Sequence, residues 1–238
     1  MYRHEQSFVI GPEHCAENGV LSPSGLASLF QKAAWDSAAE LGASTPRLQQ
    51  DGLTWVLYRL QVEADSWPVA GTTVAVHTWP SGKERMMILR DYRLVAGDRE
   101  LIRARSSWLI FDLKKRRLAP APPYVESALL SLKTPPGFVP AFTAPEPADS
   151  FEGANMFPKA EDEDMNGHIS HVRLMAWLFS GLASPADSLA AFDITFKKEA
   201  LKDDGLKIEF AAQPDGTHHR ISRLSNTELL VSGFSLWR

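Results

Sequence analysis

The strongest constraint on what this chain can fold into is a pattern that runs twice: a short strand, a helix poor in charge, then several strands of period-two alternation. In the first half, a strand over 3–10 ends at Gly11-Pro12, and a loop from Glu13 to Leu21 leads to Ser22-Pro23. Serine caps an orphan amide of a helix, and proline at the first helical position has no amide to lose. From there Leu26, Leu29, Phe30, Ala33, Ala34, Ala38 and Leu41 recur at helical spacing, and Gly42 stands where a C-terminal glycine belongs. Ala and Leu along most of this helix imply that it is buried, with small side chains letting it approach a sheet closely. After Gly52 the texture changes: Val56, Tyr58, Leu60 and Val62 alternate with Trp55, Leu57, Arg59 and Gln61. Further strands are expected over 72–79, 85–96 and 100–113, with turns at Pro80-Ser81-Gly82 and Ala96-Gly97-Asp98. This order is α+β, with a helix laid across an antiparallel sheet.

Residues 119–148 hold half of the sixteen prolines and read as a partly extended linker with one short helix near 125–133. Then the pattern restarts, so the chain divides into 1–118, the linker 119–148, and 149–238. The second half is expected to carry a strand near 153–160 and a helix from about 169 to 183, with Ile169, Val172, Ala176 and Phe179 on one stripe. Strands near 191–199, 206–213, 218–225 and 228–237 follow.

A shift of 148 residues lays one half on the other: Asn18-Gly19 falls on Asn166-Gly167, Leu26 on Leu174 and Phe8 on Met156. Residue identity is thin, so the match rests on element order and loop length. Its failures are informative. Ahead of the second helix lie Asp164, Asn166 and His168, a carboxylate, an amide and an imidazole at alternate positions. Such residues can cap a helix, or they can aim polar groups into one space beside the helix's free amides. The partner of Asp164 is Ala16 and that of His168 is Val20. Capping alone explains this asymmetry poorly, because the first helix has its own cap at Ser22. Glu199 closes the first strand after the second helix. Alone it reads as an exposed strand-end glutamate, but a helix packed on a sheet can bring that strand beside the loop.

Composition removes several classes of function. A net charge of -4 and a pI near 6.0 argue against a dedicated nucleic-acid binder. The single cysteine, Cys15, allows neither an intrachain disulfide nor a cysteine zinc site, and it suits a reducing compartment. The apolar run Phe8-Val9-Ile10 is too short for a signal peptide core or a membrane span, so a cytoplasmic protein without membrane contact is expected.

In order along the chain come Thr54-Trp55-Val56-Leu57-Tyr58-Arg59, Thr78-Trp79-Pro80-Ser81-Gly82, Arg90-Asp91-Tyr92 and Ser107-Trp108-Leu109-Ile110-Phe111-Asp112. The Asp-x-Asn-x-His loop and Phe196-Lys197-Lys198-Glu199 follow. In this order the sequence resembles the acyl-ACP thioesterases. The resemblance implies two tandem hotdog units, each a long buried helix wrapped by an antiparallel sheet. It also implies hydrolysis of the thioester joining a fatty acyl chain to acyl carrier protein, which ends fatty acid elongation, with no cofactor and no metal. Position by position, Asp164, Asn166, His168 and Glu199 match the family's catalytic group. The acyl slot would lie in the first half, with the strand residues Val56, Tyr58, Val74, Val76, Met86 and Ile88 as candidates. Acyl carrier protein is acidic, so Lys114-Lys115-Arg116-Arg117 and Lys197-Lys198 are candidate docking residues. A homodimer is left open.

The chain departs from the family's common pattern in having His168-Ile169-Ser170-His171 after the turn, Leu174 and Met175 in the next helix turn, and Ala200 where many plant members carry cysteine. With the only thiol at Cys15, a papain-like scheme cannot operate at this site, and water is the expected nucleophile. His171 reads as a helix-face residue. The alternatives are an acyl-CoA thioesterase, a dehydratase using His168 with Glu199, and a non-catalytic acyl-binding protein.

Overall fold

The computed structural model describes residues 1–142, 144–146, 150–164, 167–180 and 188–238. Strand β1 (His4–Val9) and a 3-10 turn (Pro12–His14) precede helix α1 (Pro23–Glu40) and a short helix α2 (Thr45–Gln50). Strands β2 (Leu53–Ala64), β3 (Thr73–Glu84), β4 (Met87–Ala96) and β5 (Arg99–Asp112) follow, then β6 (Arg117–Ala119) and α3 (Pro123–Leu130). The second half runs β7 (Glu152–Met156), a 3-10 turn (Ala160–Asp162), α4 (His171–Ser180), β8 (Leu189–Phe196), β9 (Leu206–Gln213), β10 (Gly216–Arg223) and β11 (Leu229–Trp237).

These strands form one sheet of order β1-β3-β4-β5-β2-β8-β11-β10-β9-β7, with β6 added on β5. Outward from its centre, β2-β5-β4-β3-β1 and β8-β11-β10-β9-β7 are the same succession of partners. The fold is therefore two hotdog units joined edge to edge about a local two-fold. At the join β2 and β8 pair antiparallel from Arg59↔Thr195 to Glu63↔Ala191, which removes two strand edges that would otherwise be exposed. Side chains reinforce it. Arg59 Nε donates to Asp193 Oδ1 at 2.7 Å, Gln61 Nε2 to Asp193 Oδ2 at 3.1 Å, and Trp67 Nε1 to the Leu189 carbonyl at 2.7 Å. One apolar core runs through both halves, taking Leu26, Leu29 and Phe30 from α1 and Leu174, Met175 and Leu178 from α4.

The repeat holds at the level of single backbone hydrogen bonds, with the same displacement of 148 residues. Ala16 N donates to Val20 O at 2.8 Å and Asp164 N to His168 O at 2.7 Å. Gly19 N donates to Ala16 O at 2.9 Å and Gly167 N to Asp164 O at 3.0 Å, and both glycines have left-handed φ, +76° and +74°. Each helix is capped by its serine: Gly25 N donates to Ser22 Oγ at 3.0 Å and Arg173 N to Ser170 Oγ at 3.2 Å. Helix α1 ends in a Schellman turn, with Ala43 N bonded to Ala38 O and Gly42 at φ +71°.

Three features differ from the sequence expectations. β3 runs through Pro80-Ser81-Gly82 as a bulge and turns instead at Arg85-Met86. β1 covers β3 only up to Thr78, so Pro80 faces no strand on that side, and on the other it pairs with Arg90 next to the bulge. Helix α2 follows a second serine cap with a nearby proline, Ser44-Thr45-Pro46, and is too short to show periodicity. Helix α4 starts at His171 and buries Leu174, Met175 and Leu178, so its inner face is rotated from the expected stripe; Ile169 lies before the helix, bridged to Glu163. The expected end near 183 falls outside the described residues. The proline-rich segment is anchored at its start, where Ala121, Val125 and Leu129 form a small core with Leu48, Ile88 and Ile110.

One buried and one half-buried histidine tie stability to pH. His219 is 2% exposed and bonded through Nε2 to Ser235 Oγ at 2.8 Å, and desolvation lowers its pKa from 6.5 to about 4. Desolvation also lowers His171 to about 4. The folded state prefers both rings neutral, so their contribution is complete above pH 6.5 and is lost as pH falls towards 4. Denaturant unfolding across that interval should show stability falling with pH. His219→Leu should make the slope shallower by about one proton's worth. An unchanged slope would show that His219 is not carried neutral into the fold.

Candidate active site

The loop ahead of α4 is pinned at both ends. Asp162, 9% exposed, accepts the Lys159 amide on Oδ2 at 2.7 Å and faces Arg173 Nε through Oδ1 at 2.7 Å, tying the loop entrance to the helix. The exit is tied to the end of the neighbouring strand, where Ile169 N donates to the Ala200 carbonyl at 2.8 Å. Between them Asp164 closes the turn, its Oδ1 accepting the His168 amide at 3.3 Å.

That tie to Ala200 sets Glu199 against the loop. His168 Nε2 lies 3.0 Å from Glu199 Oε2. The other carboxylate oxygen pairs with the Arg116 guanidinium, which arrives from the turn after β5 at a left-handed φ of +51°. Arg223 Nη2 donates to the Glu199 carbonyl at 3.1 Å, so the glutamate's backbone is held as well. In the first half the equivalent tie is Leu21 N to the Pro68 carbonyl at 2.9 Å, which puts Trp67 where Glu199 stands. The first loop therefore has the same shape with Ala16, Val20 and Trp67 in place of acid, imidazole and acid.

A cavity of about 610 Å³ opens beside this group. Its walls come from α1, β2, β4 and β5 in the first half, and from the loop, α4 and the end of β8 in the second. Asp164, His168 and Glu199 all border it, and Asn166 lies outside the described residues. Val56, Tyr58 and Ile88 are in the wall. Val74 and Val76, 2% and 0% exposed, are instead part of the main core on β3, one strand beyond the cavity's reach, and Met86 is 38% exposed in the β3–β4 turn. Arg116, Arg117, Lys197 and Lys198 all reach the cavity lining, so the two basic stretches meet at one place.

Charge patterning singled out Arg116 only as a candidate docking residue, because a partner 83 positions away leaves no local signal. His171 also borders the cavity, its ring set edge-on to Trp108 and Phe196 at 6.5 and 5.9 Å between centroids. Held neutral with a pKa of about 4, it serves as wall. Among the described residues no cluster of His, Cys, Asp and Glu could hold a metal ion, and no helix is long and apolar enough to cross a membrane.

The chain matches the family model for the acyl-ACP thioesterase N-terminal domain over residues 2–128. It is 25% identical over 260 residues to a chloroplastic acyl-[acyl-carrier-protein] hydrolase of Cuphea viscosissima, covering 98% of this chain and 62% of that one. Identity to a chloroplastic palmitoyl-acyl carrier protein thioesterase of Gossypium hirsutum is 25% over 236 residues, covering 85% and 55%. The chain thus spans less than two thirds of the length of these curated relatives. An acyl-ACP thioesterase crystal structure from Bacteroides thetaiotaomicron superposes with a TM-score of 0.81 at 21% identity, covering 99% of this chain and 98% of that one. The 12:0-ACP thioesterase of Umbellularia californica gives 0.80 at 19% identity, covering 99% and 97%.

Gly167 tests how far the site depends on the loop's shape. An added Cβ would meet nothing within 4 Å, so the left-handed φ alone opposes a side chain there. Gly167→Ala should strain the turn by about 1–2 kcal/mol and lower turnover more than it lowers Tm. Unchanged turnover would show that the turn's geometry is not used.

Proposed function

The chain belongs to the acyl-ACP thioesterase family, and from that premise we propose that it hydrolyses the thioester of fatty acyl-[acyl carrier protein], releasing a free fatty acid. The observation that carries this reading is the His168–Glu199 pair, 3.0 Å apart, on the border of a cavity whose walls come largely from the other half of the chain. The division of labour follows from that placement: the first half holds the acyl chain and the second supplies the reacting groups.

The nucleophile is water. A His168 tautomer that donates from Nε2 to Glu199 leaves Nδ1 as an acceptor, and each oxygen of a carboxylate keeps a lone pair after one bond. Glu199 and His168 together therefore orient the water and take its proton as its oxygen adds to the thioester carbonyl. The oxyanion is met by the amides at the start of α4, with Asn166 as a further donor. When the carbon–sulfur bond breaks, the proton held on the pair passes to the leaving thiolate. Asp164 keeps the loop closed, and Arg116 keeps Glu199 facing His168. The acidic carrier docks on the basic rim formed by Arg116, Arg117, Lys197 and Lys198. A single cysteine suits a reducing cytoplasm.

Release of free thiol from a panel of acyl-ACPs and acyl-CoAs tests the reading. Glu199→Ala and His168→Ala should each lower kcat by about a hundredfold or more; near wild-type turnover in both would remove the assignment. Activity should fall more steeply with salt on acyl-ACP than on acyl-CoA. Equal salt dependence would count against carrier docking at the rim.

A further inference from the structure

Glu199 stands in a stretch of irregular backbone, residues 197–205, between the end of β8 and the start of β9. Ala200 is the one buried residue of that stretch, so packing alone does little to fix where Glu199 sits. Its first bonds repeat those of residues 65–72, between β2 and β3. The Lys197 and Lys198 amides share the Leu230 carbonyl at 2.8 and 3.2 Å, as Asp65 and Ser66 share that of Leu101 at 2.8 and 3.3 Å. Then the halves part. In the first, Ala70 N donates to the Gly19 carbonyl at 2.9 Å and Gly71 N to that of Ile10 at 2.8 Å. The counterparts of those two acceptors, the Gly167 and Pro158 carbonyls, receive no backbone bond among the described residues.

The second half uses a side chain instead. Arg223 closes β10, its side chain is 16% exposed, and its three nitrogens go to three different places. Nε donates to Asp204 Oδ1 at 2.9 Å, Nη1 pairs with Glu228 across the β10–β11 turn, and Nη2 donates to the Glu199 carbonyl at 3.1 Å. Asp204 in turn accepts the Leu201 amide on Oδ2 at 2.9 Å. The next carbonyl after that of Glu199, on Ala200, is the one taken by Ile169. Two successive carbonyls are thus held by two different elements, which fixes where the Glu199 side chain leaves the backbone. A planar guanidinium with five N–H donors spans such a set of acceptors; an ammonium on a flexible stem does not. The pairings Ile221↔Val231 and Ser222↔Leu229 repeat Leu94↔Ile102 and Val95↔Glu100, register shift included. On that match Arg223 falls on Ala96, in the half whose equivalent of Glu199 is Trp67.

We propose that Arg223 is a positioning residue for Glu199, its bond to the Glu199 carbonyl setting the place from which the carboxylate meets His168. This rests on the hydrolase reading above and names a residue on which that site depends from outside the cavity, since Arg223 is not part of the cavity walls. A merely structural Arg223 would act through its ion pairs with Asp204 and Glu228, and its loss would be felt whether or not position 199 carries a carboxylate. The positioning role is felt only through Glu199.

The test is a double-mutant cycle read as kcat and KM for thiol release from acyl-ACP. Arg223→Gln should lower kcat by about tenfold and leave KM within about twofold of wild type, the cost of a small misplacement of a reacting group. In a Glu199→Ala background the same substitution should cost less than about twofold, because the group it positions is gone. The same tenfold loss in both backgrounds, or a loss carried by KM, would overturn the proposal. Arg223→Lys keeps a cation beside Asp204 and Glu228 and serves where Arg223→Gln does not fold. Its kcat should fall by about fivefold or more at a Tm close to wild type, and wild-type kcat would overturn the proposal. Turnover insensitive to Arg223 would leave the hydrolase reading standing and remove the positioning role alone. No release by the wild type from any acyl-ACP would overturn the hydrolase reading itself, and the positioning role with it.

Discussion

The pairing of β2 with β8 is the contact on which the rest of the structure depends. Each half alone would leave one long strand edge unpaired and one helix half-covered. Joining them antiparallel buries both edges and brings α1 and α4 into one core. It also decides where Glu199 sits, just past the end of β8 and beside a cavity to whose wall β2 contributes. The ion pair between Arg59 and Asp193 spans this join, with Asp193 buried and Gln61 sharing its charge. Such a pair adds less stability than register, since a slip of one residue would leave the aspartate buried without its partner.

The local two-fold presents one loop shape twice, with two different sets of side chains. The loops ahead of α1 and α4 share their backbone hydrogen bonds, their left-handed glycine and their serine cap. The first loop achieves all of this with Ala16 and Val20, so neither an acid nor an imidazole is needed to build it. In the second loop Asp164 Oδ1 accepts the His168 amide, where in the first Asn18 Oδ1 accepts that of Val20. Both halves also tie the loop to a strand end, and only the second has a carboxylate there, where the first has Trp67. The first half uses its extra length on a longer helix α1 and on α2, and these line or flank the cavity.

Much of this was legible in the sequence because the governing signals are local. Ser22-Pro23, Gly42 and the alternation after Gly52 mark α1 and the strands through capping and period, and the repeat shift of 148 residues survives in the hydrogen bonds. The bulge at Pro80 was not legible, since it depends on β1 stopping at Thr78 and on a register shift against β4, facts of pairing and not of sequence. The same limit separates Val56, Tyr58 and Ile88 from Val74 and Val76. All sit in alternating strands, and only the strand order says which strands reach the cavity. Arg116 and Arg90 show the limit for charges, because one meets Glu199 across the join and the other is buried without an acid.

The central claim is that one half of the chain holds the acyl group while the other cuts it. A crystal structure with a non-hydrolysable acyl-pantetheine thioether tests this most directly. The account predicts the acyl chain in the cavity between α1 and β2–β5, with the carbon that replaces the thioester carbonyl beside His168 and Glu199. An acyl chain lodged between α4 and β9–β10, or a reacting carbon beside Trp67 and Val20, would contradict it.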